Sequence, residues 1–189
     1  METVEFAGLE LETEPGIVMT PRSTSVALAE CALEHVGDRR AVVVHVGTGS
    51  GAIAVAIARS APTATVWATD VCADAVALAG RNAARCGVDV RVRHGDLLDP
   101  VPGPIDVVVA NLPYLPYAER SLHPDLAGEP SDSVYAPGDG LGPYRRLLAA
   151  ARTRLAPDGL LALQFRGELV SASAAELPAL DLFFAERAA

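Results

Sequence analysis

Residues 41–70 read AVVVHVGTGSGAIAVAIARSAPTATVWATD. Ala41 to Val46 is a continuous apolar run carrying one histidine, the pattern of a strand covered on both faces. Gly47-Thr48-Gly49-Ser50-Gly51 follows, then an Ala-rich apolar stretch from Ala52 to Arg59 that predicts a helix stopped near Pro62. Thr63 to Thr69 predicts a second strand, ending at Asp70. Strand, glycine turn, helix and strand together make the repeating unit of a parallel sheet.

The rhythm continues outward. Ala73 to Cys86 predicts a helix with Gly87 at its C-cap, Val88 to Val92 a third strand, and Ile105 to Ala110 a fourth, ending at Asn111. Gly142 to Leu155 predicts a helix, Gly159 to Phe165 a fifth strand, and Leu180 to Phe184 a last short strand. Upstream, residues 3–19 predict a short hairpin around Pro15-Gly16. The apolar residues from Val26 to Val36 recur at helical spacing, with Ser23 or Thr24 as N-cap and Gly37 as the stop. Residues 112–140 are rich in Pro, Gly, Ser and Asp and predict a long ordered loop, a feature usually tied to function. The expected architecture is α/β, with a mostly parallel central sheet and helices on both faces.

Bulk properties bound what such a chain can do. It has 189 residues, half of them apolar, with 15 Lys plus Arg against 24 Asp plus Glu, a net charge of −9. That length fits one domain and excludes the need for a disulfide or metal staple. A net −9 weighs against holding a nucleic acid backbone by bulk charge. Met1 to Leu11 carries acids and no apolar core, so it does not read as a signal peptide. No run reaches the ~18 apolar residues of a membrane span. Cys31, Cys72 and Cys86 form no C-x-x-C pair and read as buried reduced thiols, so a cytoplasmic location is expected. His35, His94 and His123 share no metal-ligand spacing, and no metal is expected.

Ligands of parallel α/β sheets bind at the carboxyl ends of the strands. The glycine loop, Asp70 and Asn111 all sit at such ends. Glycines let the backbone approach a ligand and offer free N–H groups at a helix N-terminus. Asp70, 19 residues past Gly51, is placed to accept both hydroxyls of a ribose. These two features fit any adenosine cofactor.

Asn111-Leu112-Pro113-Tyr114 narrows the choice. With the glycine loop it resembles the class I S-adenosylmethionine-dependent methyltransferases, and more narrowly the HemK/PrmC group of protein glutamine N5-methyltransferases, whose signature is N-P-P-Y. Phe6-x-Gly8-Leu9 through Pro15-Gly16 and Pro21-Arg22-x-Thr24 resembles the lead-in to that family's catalytic domain. Val46 to Ala54 resembles its cofactor loop. Glu129-Pro130, Asp139-Gly140-Leu141, Tyr144-Arg145 and Leu155-x-Pro157-x-Gly159 match a family-specific stretch.

The resemblance implies a Rossmann-like class I fold with a shortened C-terminal part, with S-adenosylmethionine as cofactor. It also implies methyl transfer to a glutamine amide in a protein such as a peptide chain release factor. Gly47, Thr48, Gly49, Ser50, Gly51, Asp70, Asp96, Leu97 and Asn111 would then bind the cofactor. Asn111, Leu112, Pro113 and Tyr114 would hold and align the acceptor nitrogen. A primary amide nitrogen is a poor nucleophile, so positioning has to do much of the chemistry. The Asn111 side-chain oxygen and the backbone carbonyl of residue 112 are two acceptors for an NH₂ group, and Tyr114 offers a ring face.

The chain departs from the family in places. Leu112 stands where the family has Pro, and Gln164 where it usually has Glu. His45 stands where it usually has an acid, and reads as a neutral, hydrogen-bonded core histidine. The resemblance begins within the first ten residues. Residues 1–189 are therefore expected to form a single catalytic domain, with 1–22 as hairpin and lead-in and without the family's substrate-docking domain. About one strand fits after Phe165, so a partner copy or an activator subunit could complete the sheet edge. A small-molecule amide or amine acceptor is one alternative, and a degenerate cofactor-binding protein or subunit another. N-L-P-Y also resembles rRNA adenine dimethyltransferases, which the −9 weighs against. Tyr117, His123 and Glu129 are either pocket-lining or ordinary loop residues, and Arg145-Arg146 reads as a solvated helix face.

Overall fold

The computed structural model describes residues 2–186. Strands β1 (Glu2–Phe6) and β2 (Leu9–Thr13) form an antiparallel hairpin in which Phe6 pairs with Leu9. Its turn is Ala7-Gly8, both at positive φ (50° and 75°), and not the expected Pro15-Gly16. A two-residue loop with both φ positive matches the twist of the flanking strands. Pro15-Gly16 instead makes the next turn, where the N–H groups of Ile17 and Val18 donate to the Glu14 carbonyl.

Helix α1 (Val26–Val36) follows and ends at Gly37 as expected. Neither Ser23 nor Thr24 caps it, because Ser23–Ser25 forms a 3₁₀ turn and the residue before α1 is Ser25. Next come β3 (Val42–Val46), α2 (Ala52–Ser60), β4 (Thr65–Asp70), α3 (Ala73–Arg85), β5 (Val90–His94) and β6 (Ile105–Ala110). The third predicted strand is thus displaced two residues toward the C-terminus. The 112–140 segment is ordered by short pieces: β7 (Leu115–Pro116), two 3₁₀ turns, α4 (Ser131–Val134) and β8 (Tyr135–Ala136), with β7 and β8 paired in parallel.

The chain continues as α5 (Gly142–Arg154), β9 (Leu155–Phe165), β10 (Glu168–Ser173) and α6 (Leu177–Glu186). The last element corrects the expectation: Leu180 to Phe184 is helical, not a strand. Leu177, Leu180 and Phe184 fall at i, i+3 and i+7 and are all buried, which is helical spacing inside an apolar run too short to read by composition. The final strand of the sheet is β10, which turns back antiparallel on β9.

The central sheet has the order β10-β9-β6-β3-β4-β5, parallel except for β10. Val43, Val66, Val107, Val109 and Ala162 face one way and bury against α1, α2 and the hairpin residues Phe6 and Leu11. Val44, Val46, Trp67, Val108, Leu161 and Leu163 face the other way, with α5 and α6 residues such as Leu147, Tyr144 and Phe184. This two-sided burial explains the unbroken apolar runs of the central strands. The chain leaves β3 toward β4 and β5, then returns to build β6 on the opposite side of β3. The topological switch point therefore lies between β3 and β6.

Candidate functional site

Register brings the site together. Val46 pairs with Ala110 on one side and Thr69 on the other, so Gly47, Asn111 and Asp70 leave three adjacent strands at one edge. Gly47 has φ +64°, and a Cβ there would stand 2.7 Å from Leu112 Cδ2. Gly51, at φ +82°, opens α2, and a Cβ there would stand 2.9 Å from the Ala79 Cβ of α3. One glycine lets the loop pass the Leu112 side chain, and the other lets α2 approach α3.

Asp70 holds the loop. Its Oδ2 accepts the Gly49 N–H at 2.8 Å and its Oδ1 accepts the Cys72 N–H at 2.9 Å. Burial pushes this carboxyl above the usual carboxylate range, and the backbone N–H groups of Cys72 and Gly49 oppose the shift. Each oxygen keeps acceptor capacity for a ligand hydroxyl.

A cavity of about 720 Å³ opens at this edge. Gly47, Gly49, Asp70, Asp96, Leu97, Asn111, Leu112 and Pro113 line it, with Pro130 to Ser133 from the 112–140 segment. Its volume suits a cofactor-sized molecule. A smaller cavity of about 70 Å³ adjoins it and is lined by Arg22, Ser25, His45, Thr48, Ser50 and Asn111, among others. Gly47, Gly49, Met19 and Asn111 line both. Of the residues expected at the site, Thr48 and Ser50 thus face the smaller cavity and Gly51 lines neither. Tyr114 also lines neither; its ring meets Phe165 in a T-shaped contact at 5.3 Å.

Asn111 is gripped from behind. Its Nδ2 donates to Ser25 Oγ at 3.2 Å and to Gln164 Oε1 at 3.1 Å, and Ser25 Oγ donates to the same Gln164 oxygen at 2.6 Å. Leu112 is fixed by Tyr144, a fully buried residue of α5. The Tyr144 hydroxyl accepts the Leu112 N–H at 3.1 Å and lies 3.0 Å from the Leu112 carbonyl and 2.5 Å from the Gln164 carbonyl. Burial pushes this phenol far above its ordinary range. The roles of Ser25 and Tyr144 escaped the sequence. Ser25 is one hydroxyl in a run with Ser23 and Thr24, and only the fold selects it.

His45 is buried, and its Nδ1 is 2.8 Å from Thr48 Oγ1. Burial lowers its pKa to about 3, so the ring is neutral, as expected from the sequence. Asp96 forms an ion pair with Arg146, and both line the large cavity, so Arg146 is part of the rim. Arg145 pairs separately with Asp139. Tyr117, His123 and Glu129 do not line either cavity. Tyr117 donates to Asp132 and stacks on Tyr135, and His123 is 3.7 Å from Glu119. Glu129 accepts the Thr20 N–H and pairs with Arg22, tying the 112–140 segment to the lead-in.

The family model described as "Methyltransferase small domain" matches residues 23–123. A release factor glutamine methyltransferase of Deinococcus radiodurans is 38% identical over 176 residues, covering 92% of this chain and 63% of that protein. One from Gloeobacter violaceus is 40% identical over 168 residues, covering 86% of this chain and 58% of that protein. The chain therefore spans about three fifths of the length of these curated relatives. A solved methyltransferase structure from Pyrococcus furiosus superposes with a TM-score of 0.62 at 23% identity, covering 96% of this chain and 77% of that one, and shares the fold.

Proposed function

Because the chain belongs to the methyltransferase small domain family, we propose that it is an S-adenosylmethionine-dependent N-methyltransferase acting on a glutamine side-chain amide of a peptide chain release factor. The observation that carries this reading is the position of Asn111. It closes β6 at the switch point, lines both cavities, and continues into Leu112-Pro113 along the wall of the larger one. The two curated relatives cited above bear the name of that activity.

The residues present fit the cofactor. The cavity is large enough, Asp70 retains acceptor capacity toward two ribose hydroxyls, and Gly47 and Gly49 put the backbone of the glycine loop on the cavity wall. When bound, S-adenosylmethionine supplies a methyl group on a cationic sulfonium. Gly47, Gly49, Asp70, Asp96 and Leu97 would hold it. Asn111 Oδ1 and the Leu112 carbonyl would accept the two N–H groups of an amide and so orient its nitrogen. The Tyr144 hydroxyl carries one proton, and its shortest contact is to the Gln164 carbonyl, which leaves the Leu112 carbonyl capacity to accept. Pro113 stiffens the turn by fixing φ. Alignment of this kind supplies up to about 7–11 kcal/mol of a barrier in the best cases. A cytoplasmic location fits an acceptor that works in translation. Tyr114 is half-buried, and its T-shaped contact with Phe165 braces the Asn111–Tyr114 turn.

The test is transfer of labelled methyl to a release factor carrying Gly-Gly-Gln, followed by Gln→Ala in that motif. Methylation lost with that change supports the reading. Methyl transfer to a small amide or amine, with none to the release factor, overturns it. Asn111→Ala is expected to abolish transfer while calorimetric cofactor affinity stays within a few-fold. Equal loss of both would assign Asn111 to the cofactor alone.

A further inference from the structure

The Asn111 amide nitrogen is turned inward, where it donates to Ser25 Oγ at 3.2 Å and to Gln164 Oε1 at 3.1 Å. Ser25 in turn commits its only proton to Gln164 Oε1 at 2.6 Å. The Gln164 oxygen thus accepts twice, from a side chain buried in β9. We propose that Ser25 and Gln164 are positioning residues that lock the Asn111 side chain with its oxygen, and not its nitrogen, presented to the cavities. The proposal rests on the reading that Asn111 grips an NH₂ group.

The physical argument is one of donors and acceptors. Rotating the Asn111 amide by half a turn would place Oδ1 against Gln164 Oε1, two acceptors with no proton between them. It would also leave Ser25 without the N–H it accepts. The only consistent reversal requires Gln164 to turn as well, so that its NH₂ faces Asn111. Asn111 would then present an NH₂ to the cavity, which cannot accept from another NH₂. The direction of Gln164 therefore sets whether the site recognises an amide donor. The three side chains come from the turn before α1, the end of β6 and β9, so the lock closes only in the folded protein.

Glutamate decides between the two directions, because an ionised carboxylate only accepts. The experiment compares wild type with Gln164→Glu, Gln164→Leu and Ser25→Ala. Its readouts are turnover and KM on the Gly-Gly-Gln release factor, cofactor affinity by calorimetry, and exchange of the Asn111 side-chain amide protons by nitrogen-15 NMR. Gln164→Leu is expected to lower turnover about 100-fold, the scale of a small misplacement of a reacting group, with cofactor affinity and KM within about twofold. Its Asn111 protons should exchange faster. Gln164→Glu should retain turnover within a few-fold and keep the protons protected, and Ser25→Ala should fall between. A folded Gln164→Glu that loses both turnover and protection overturns the proposal, as does a Gln164→Leu with unchanged turnover. If wild type does not methylate the release factor, the proposed function fails. The exchange data then decide the lock alone: protection kept in Gln164→Glu and lost in Gln164→Leu supports it, and any other pattern overturns it.

Discussion

Asn82 and Glu12, 70 residues apart, exchange two hydrogen bonds in the interior: the Glu12 N–H donates to Asn82 Oδ1 at 2.8 Å, and Asn82 Nδ2 donates to the Glu12 carbonyl at 3.1 Å. The same Nδ2 donates to the Ser50 carbonyl at 2.8 Å. A fully buried amide on α3 thus pairs with β2 much as a neighbouring strand would, and ties the hairpin to the glycine loop. Its neighbour Arg81 reinforces the joint from the surface through Glu12 and Glu14.

Asn82→Ala removes all three bonds and strands buried backbone groups. Each such group costs about 1–3 kcal/mol, and partial relaxation puts the expected loss near 3 kcal/mol. At this chain length that lowers Tm by roughly 6–12 °C. Cofactor affinity should fall as well, since Ser50 belongs to the loop. Differential scanning fluorimetry with and without S-adenosylmethionine measures both effects, and a Tm within 2 °C of wild type would contradict the assignment.

Tyr144→Phe keeps the ring against Phe165 and Phe184 and deletes only the hydroxyl. The Leu112 N–H loses its acceptor, at a cost of about 2 kcal/mol. With that bond gone the Leu112 backbone is less firmly held, and its carbonyl loses its fixed position. Turnover should therefore drop by a larger factor than cofactor affinity, which does not depend on that carbonyl. Parallel kinetic and calorimetric titrations would show it. Matched losses would place Tyr144 in cofactor binding.

His45 makes stability depend on pH. Its folded pKa of about 3 lies below the ordinary 6.5, so between these values the unfolded chain binds a proton that the folded chain excludes. The contribution is complete above pH 6.5 and declines as pH falls toward 3, by up to about 1.4 kcal/mol per pH unit. His45→Gln should flatten that part of the curve. Urea unfolding at pH 7, 5.5 and 4.5 would reveal the slope, and an unchanged slope in the variant would assign the acid sensitivity elsewhere.

Much of the frame was legible residue by residue. The run from Ala41 to Asp70 named a strand, a glycine loop, a helix and a strand, and the structure has each of them within two residues. The failures have local causes. Ala7-Gly8 lost to the stronger-looking Pro15-Gly16 as a turn signal. Leu180 to Phe184 is apolar on enough positions to pass for a strand, and only burial of Leu177, Leu180 and Phe184 together reveals a helix. Glu168–Ser173 carries little apolar weight because it is an edge strand, with one side of its ladder unpaired.

The sequence by itself determined that Gly47, Asp70 and Asn111 would meet at one edge. Each ends a strand of a parallel sheet, and parallel register aligns all carboxyl ends on the same side. The polar joints were decided only by the tertiary structure. Ser25 meets Gln164 across 139 residues, Asn111 meets Gln164 across 53, and Asn82 meets Glu12 across 70. Periodicity reports which face of an element is apolar, because burial repeats along the chain. It does not report which single amide or hydroxyl finds a partner, because that depends on how packed elements from distant parts of the chain bring their donors and acceptors within 3 Å.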